Sequence, residues 1–267
     1  HDILYVIDSW TLPIVYLATL GRFRWRRTGL VYHTFDWLEP VLVNKLQVML
    51  ERTVCRRADL VVNTDRARAR LQRPLYGLSR TPLSVQNALA SGTVCPATNP
   101  RLRAELLGPA ATPDSILLVY PTVVSNETSG QRMFFELIRA FAELPARYHL
   151  ALFYREGSEY RRCRQEVESA GLQTRVRFFE PVPFDRLMAY LANADLGAIF
   201  YNDSESSGYF MCNADKLSVL AAAGVPYVAS DFPNLEAVTY RYGLGECCDA
   251  GNPADIAQVI LNTADSP

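Results

Sequence analysis

The stretch SILLVYPTVV, residues 115–124, is almost unbroken in apolar and β-branched side chains. A strand of that kind is covered on both faces, whereas a strand with one wet face alternates polar with apolar. Behind it, SGQRMFFELIRAFAELP (129–145) carries apolar residues at helical spacing, and YHLALFYRE (148–156) is a second apolar strand. The alternation continues with helix SEYRRCRQEVESAG (158–171), strand RVRFFE (175–180), helix PFDRLMAYLANA (183–194) and strand DLGAIFY (195–201). A helix ending at Ala223, strand VPYVASD (225–231), a short helix NLEAVTYRYG (234–243), GECCD (245–249) and helix NPADIAQVILNTA (252–264) complete it. Continuous apolar strands separated by helices imply a doubly wound α/β sheet, in which ligands sit at the carboxyl ends of the strands.

The N-terminal half alternates in the same way with fewer units: strands ILYVID (3–8), TGLVYHTFD (28–36), DLVVNT (59–64) and PLSVQNA (82–88), with helices TLPIVYLATLG (11–21), VLVNKLQVMLERTVCRRA (41–58) and DRARARLQ (65–72). Opening directly on a strand, it reads as the second part of a Rossmann-like domain that lacks its first strands. The stretch SGTVCPATNPRLRAELLGPAATPD (91–114), rich in Pro, Ala and Thr, reads as the connection between domains. The expectation is an N-terminal domain over 1–110 and a C-terminal domain over 111–267. Charge agrees, since residues 1–110 hold 15 basic and 8 acidic side chains and the remainder 12 and 20. A basic half is either a solvated face or a surface that meets lipid head groups, phosphates or nucleic acid.

With 49% hydrophobic and 21% charged residues among 267, the chain is neither disordered nor collagen-like. Six cysteines without a C-x-x-C pair, and three scattered histidines, spell neither a disulfide framework nor a zinc site, so a reducing, cytosolic setting is expected. The apolar run SWTLPIVYLATLG (9–21) has 13 residues with a proline inside, too short to cross a bilayer, and no signal peptide is expected.

One of only two lysines, Lys216, stands near the start of the helix before strand 225–231. Asn213 or Asp215 fits the N-cap, Gly224 the stop, and Pro226 the entry to the strand. A helix start at the strand ends of a parallel sheet suits a diphosphate. A cation in the first turn is disfavoured by the helix dipole unless an anion sits there. Lys216 is therefore either a solvated surface residue or part of an anion site.

The series CNADKLSVLAAAGVPYVASD (212–231), with YGLG (242–245) after the next helix, resembles the C-terminal domain of retaining glycosyltransferases with the GT-B fold, of the family-four type. In the N-terminal half, VYHTFDWLEP (31–40) resembles that family's strand-end histidine segment, ADLVVNTDRARARL (58–71) the strand and helix after it, and SVQNAL (84–89) the strand-end asparagine before the interdomain crossover. The resemblance implies two Rossmann-like doubly wound domains, the first incomplete. It implies a nucleotide-sugar donor bound mainly by the C-terminal domain, transfer with retention to a glycan or lipid-linked acceptor, and no metal or other cofactor. Matched by position, His33 falls where the family's histidine meets the donor sugar; taken alone, a histidine ending an apolar strand can equally bond nearby backbone. Asn213, Asp215, Lys216, Ser218 and Val219 fall along the diphosphate and sugar, Thr122 beside the phosphates, and Val182 in the loop that meets the base.

Departures accompany the matches. The family's two glutamates, one of which holds the ribose hydroxyls, correspond to Met211 and Val219, and its diphosphate-binding arginine and lysine correspond to Asn126 and Gln131, with Arg132 one step off. Either Lys216 and the helix dipole carry more of the anion or the donor site is degenerate, leaving a binding or scaffold subunit. The pair Asp203 and Glu205 has the look of a metal-binding acidic motif or of a solvated turn. In GRFRWRRTG (21–29), Arg22, Arg24, Arg26 and Arg27 flank Phe23 and Trp25, a pattern suited to an anionic membrane surface; RNA contact is the alternative. The expectation is a cytoplasmic protein, peripheral at the inner membrane face, that binds no nucleic acid.

Overall fold

The computed structural model describes residues 2–20, 28–35, 44–90, 92–93, 95–128, 131–202 and 214–265. It divides into two compact units, one over His1–Asn87 and the other over Ala88–Asn202 with Ala214–Pro267. Asn213, Met211, the 203–205 motif and the 22–27 arginine run lie outside the described residues.

The first unit is a parallel sheet of four strands in the order β1-β2-β3-β4: β1 (Asp2–Ile7), β2 (Thr28–Thr34), β3 (Leu60–Asn63) and β4 (Leu83–Ser84). Between them run α1 (Leu12–Leu20), α2 (Lys45–Arg57) and α3 (Arg66–Tyr76). The core gathers Val6, Leu12, Leu30, Tyr32, Val54 and Tyr76. Helix α3 runs four residues past the expected end: Pro74 is accommodated, and Gly77 closes the helix in the left-handed region. Strand β4, two residues long, is one edge of the sheet and pairs Val62 with Leu83 and Asn63 with Ser84. Strand β1 is the other edge, with Ile3, Leu4, Tyr5 and Ile7 exposed. Glu51 is buried here and accepts hydrogen bonds from the hydroxyls of Tyr32 (2.9 Å) and Tyr76 (2.5 Å); burial holds its carboxyl above the usual range.

The second unit begins with α4 (Pro100–Leu107), which stands inside the stretch read as a connection. Asn99 caps it, accepting from the N–H groups of Arg101 and Leu102. Arg103 then ties it down through the Asn193 and Ser115 carbonyls and the Asp195 carboxylate. The remaining elements are β5 (Ile116–Val124), α5 (Phe134–Glu143), β6 (Tyr148–Tyr154), α6 (Ser158–Ser169), β7 (Val176–Phe179), α7 (Phe184–Leu191), β8 (Leu196–Ile199), α8 (Asp215–Ala223), β9 (Tyr227–Ser230), α9 (Pro233–Tyr242), β10 (Gly245–Cys248) and α10 (Pro253–Asp265). All six strands are parallel, in the order β10-β9-β8-β5-β6-β7. Leu118, Tyr120, Leu137, Phe141, Leu150 and Leu152 are wholly buried in its core.

Two glycines let this sheet close up. A Cβ on Gly197 of β8 would come within 2.4 Å of Leu220, so its absence lets α8 settle onto the strand. Gly245 (φ +153°) opens β10, where a Cβ would lie 1.8 Å from the Tyr227 carbonyl oxygen. Among the described residues, no helix is long and apolar enough to cross a membrane.

Candidate functional site

The chain order of the second sheet reverses between β5 and β8, because β6 and β7 lie to one side of β5 while β8, β9 and β10 lie to the other. At such a switch point the loops leave in opposite directions and a crevice opens outside the carboxyl ends. Pro121 widens it. Lacking an N–H, it cannot serve the ladder; the pairing of β5 with β6 shifts register between Tyr120 and Val123, and that with β8 ends at Val119 and Gly197. Thr122 lies within the irregularity and is buried; its hydroxyl makes no hydrogen bond of ordinary geometry with another described residue, although it acts on the nearby Tyr120 phenol.

The loop after β5 turns back to this point. Thr128 Oγ1 holds it by donating to the Val123 carbonyl at 2.8 Å, and Asn202 N–H donates to the Gln131 carbonyl at 3.1 Å. Tyr120, at the centre, donates from its hydroxyl to the Arg132 or the Phe200 carbonyl, each at 3.0 Å. The Arg132 guanidinium carbon lies 4.4 Å from the centre of the Tyr201 ring, a cation–π contact. Burial pushes the Tyr120 phenol up, and the Arg132 charge pulls it back. The sequence reading put Asn126 and Gln131 near the family's cation positions with Arg132 one step off; the structure brings Arg132 and the Gln131 backbone to the switch point. Asn126 is engaged elsewhere, accepting from Ser158 Oγ and the Glu159 N–H at the start of α6.

At the start of α8 the N-cap position is Ala214, with no side-chain cap; Asp215 is the first helical residue, so neither expected capping arrangement applies to the described residues. Gly224 ends the helix in the left-handed region as expected. Lys216 is 19% exposed and its Nζ lies 3.5 Å from Asp215 Oδ1, so a carboxylate already answers the cation in the first turn. Asp215 also accepts from the Lys216 N–H at 3.0 Å, and Ser218 Oγ donates to the Asp215 carbonyl at 2.7 Å. Val219, half-buried, stands three residues beyond Lys216 and so on the same side of the helix. Val182, also half-buried, lies between β7 and α7. Strand β7 is the sheet edge, separated from β5 by β6, so Val182 is not gathered to the switch point.

In the first unit, His33 is 7% exposed near the carboxyl end of β2. Its Nδ1 lies 2.6 Å from Tyr5 Oη, its ring stacks on Phe35 at 4.3 Å, and its Nε2 is buried with no hydrogen-bond partner among the described residues. Burial holds its pKa below the ordinary histidine value, opposed by the charge of Asp8. Asp8 closes β1 with φ 56°, donates its N–H to the His33 carbonyl (2.9 Å) and accepts from the Phe35 N–H (2.6 Å). Tyr5, Asp8 and Phe35 were not singled out from sequence. Among the described residues, Asp8 and Met133 are the non-glycine positions with left-handed backbone, one beside His33 and the other following Arg132. Strained backbone of this kind concentrates at functional sites.

No family model matches the sequence, and no curated protein matches it. Solved structures do share its fold. Anabaena HepE, in complex with UDP-glucose, matches with a TM-score of 0.77 at 20% identity, over 99% of this chain and 69% of that one. Sucrose-phosphate synthase from Thermosynechococcus elongatus gives a TM-score of 0.69 at 16% identity over 98% and 64% of the two chains. The apo lipopolysaccharide outer core galactosyltransferase WaaB gives 0.68 at 16% identity over 98% and 66%. Likeness at these identities speaks for the fold alone, and the fold of this chain is GT-B, the pair of Rossmann-like domains found in the glycosyltransferases among these structures.

Proposed function

We propose that the chain is a hexosyltransferase that moves a sugar from a nucleoside-diphosphate sugar to a glycan or lipid-linked acceptor with retention of configuration and without a metal. The observation that carries the reading is the cationic switch point, where Arg132 is held over Tyr201 at the reversal of the sheet. A diphosphate outside β5 meets Arg132, Thr122 and, at the start of α8, Asn213, Lys216 and Ser218; Val182 faces the base. His33, neutral and with Nε2 uncommitted, serves the donor sugar as a hydrogen-bond partner near the anomeric carbon. The enzyme works in the cytoplasm against an anionic membrane face, through Arg22, Arg24, Trp25, Arg26 and Arg27. The exposed Ile3, Leu4 and Ile7 of β1 support a further parallel strand beside it in the intact N-terminal sheet.

The test is calorimetric titration with UDP-glucose and UDP. Lys216→Ala weakens binding about tenfold, and Asp215→Asn, which removes a carboxylate from beside the lysine, strengthens it a few-fold. A chain that binds no nucleoside diphosphate or nucleotide sugar overturns the proposal. The second reading, a degenerate binding subunit, rests on Val219, whose side chain offers a ribose hydroxyl no acceptor. Val219→Glu separates the two: a gain in UDP affinity of tenfold or more, by order of magnitude, marks a decayed site.

A further inference from the structure

A second concave site lies wholly within the first unit. A cavity of about 650 Å³ opens between the end of α2, helix α3 and strands β3 and β4, within the usual size range for small-molecule pockets. Four arginines line it, Arg56, Arg66, Arg70 and Arg80, against one carboxylate, Asp59. That carboxylate is already engaged, accepting from the Leu30 N–H at 2.7 Å.

No carboxylate among the described residues pairs with these arginines. Ion pairs between described residues all fall in the second unit, where Arg103, Arg139, Arg147, Arg155, Arg162 and Arg164 each meet a carboxylate. Helix α3, by contrast, contains no acid in RARARLQRPLY, although Arg66, Arg70 and Arg73 repeat at four and three residues along its outer side. Like charges at that spacing repel and are normally relieved by an interleaved acid. Arg66, Arg70 and Arg80 are exposed, and none has an ion pair or side-chain hydrogen bond with another described residue. Arg56 is oriented: its Nε donates to the Tyr76 carbonyl at 2.7 Å, and a Cβ on Gly77 would come within 2.5 Å of its Nη2. The glycine therefore leaves room for the guanidinium, whose terminal nitrogens make no hydrogen bond to another described residue. Between Leu78 and Leu83, Ser79 and Thr81 add hydroxyls, and the N–H groups of Ser79, Arg80 and Thr81 bond to no other described residue.

We infer that this cavity is a binding site for a phosphate-bearing ligand. A guanidinium presents paired N–H donors in a plane that matches two oxygens of a phosphate, and several around one cavity neutralise a dianion better than a carboxylate. Val61, Pro82 and Leu83 give the cavity an apolar wall for the organic part of the ligand. The phosphate comes either from a small soluble ester or from a lipid head group. The site stands whether or not the chain transfers a sugar.

The probes are inorganic phosphate, by equilibrium dialysis, and vesicles of phosphatidylglycerol against phosphatidylcholine, by co-sedimentation, each with the whole chain and with Arg70→Gln/Arg80→Gln. Both positions are exposed, so the variant keeps its circular dichroism spectrum. Phosphate binding that falls about tenfold or more in the variant, with vesicle binding unchanged, assigns a soluble phosphate ester. Phosphatidylglycerol binding that falls by that factor, with or without an effect on free phosphate, assigns a lipid head group. Equal behaviour of wild type and variant in both assays overturns the site. UDP affinity, unchanged in the variant, keeps this result distinct from failure of the donor-site proposal.

Discussion

Tyr5 Oη lies 2.6 Å from Nδ1 of His33, a buried imidazole whose pKa burial lowers. We predict that the phenol donates to Nδ1, which places the proton on Nε2, a nitrogen with no partner among the described residues. Tyr5→Phe removes the donor and mixes the tautomers. Long-range proton–nitrogen NMR correlation of His33 shows protonated Nε2 in the wild type and averaged shifts in the variant. Under the glycosyltransferase reading, kcat falls about fivefold to tenfold, since one neutral hydrogen bond is worth about 1 kcal/mol. A wild-type ring protonated on Nδ1 contradicts the assignment.

Arg132 is held by an aromatic face, so its loss and its conservative replacement have different outcomes. Arg132→Gln lowers UDP affinity by on the order of tenfold or more through loss of a charge-assisted bond. Arg132→Lys recovers only part of it, because an ammonium neither stacks on Tyr201 as a plane nor offers a fork. Isothermal titration of the three proteins with UDP measures both steps.

Two glycines in the second sheet differ in what can yield. Gly197→Ala meets Leu220, a flexible side chain, and costs about 1–3 kcal/mol, the usual overpacking range. Gly245→Ala meets the Tyr227 carbonyl at a φ that other residues avoid, and costs more than Gly197→Ala. Urea unfolding at equal m-values ranks them.

Buried ionisable groups tilt stability in opposite directions with pH. His33 and His149 both have pKa values lowered by burial, so between the folded values and the ordinary 6.5 the unfolded chain binds more protons. Their contribution is complete above about pH 6.5 and is lost as pH falls below it. Glu51 is raised by burial, so its contribution is complete below the ordinary 4.5 and is lost as pH rises through the folded value. Glu51→Gln abolishes the second trend and steepens the net rise of stability with pH, read from urea midpoints across pH 4 to pH 8 at roughly half-unit steps.

The parallel architecture was legible because apolar runs such as 115–124 and 148–154 have no other stable placement than a sheet covered on both faces. Helix α4 was hidden by composition: Pro and Thr around PRLRAELL read as a connection, while the cap at Asn99 and the anchor at Arg103 act through Asn193 and Asp195, some ninety residues away. The setting of Arg132 was not legible, because spacing alone does not register the left-handed turn at Met133, which follows it. Tyr5 carried no local signal. It pairs in register with Val31, so it shares a face with His33 only through the alignment of β1 and β2. At Lys216 the dipole argument pointed to an anion, and the anion at hand is the neighbouring carboxylate of Asp215.

Strand β1 has a bearing on how the protein is handled in solution. Its sequence DILYVI has a single charge, Asp2, and among the described residues its outer edge has no paired strand, beside exposed Ile3, Leu4 and Ile7. Natural sheets guard such edges with lysine, proline or a bulge, and β1 has none of these. Preparations of this chain will therefore self-associate as concentration rises, by strand addition at β1, and a lysine at Leu4 or Ile3 is the change that keeps the material monodisperse.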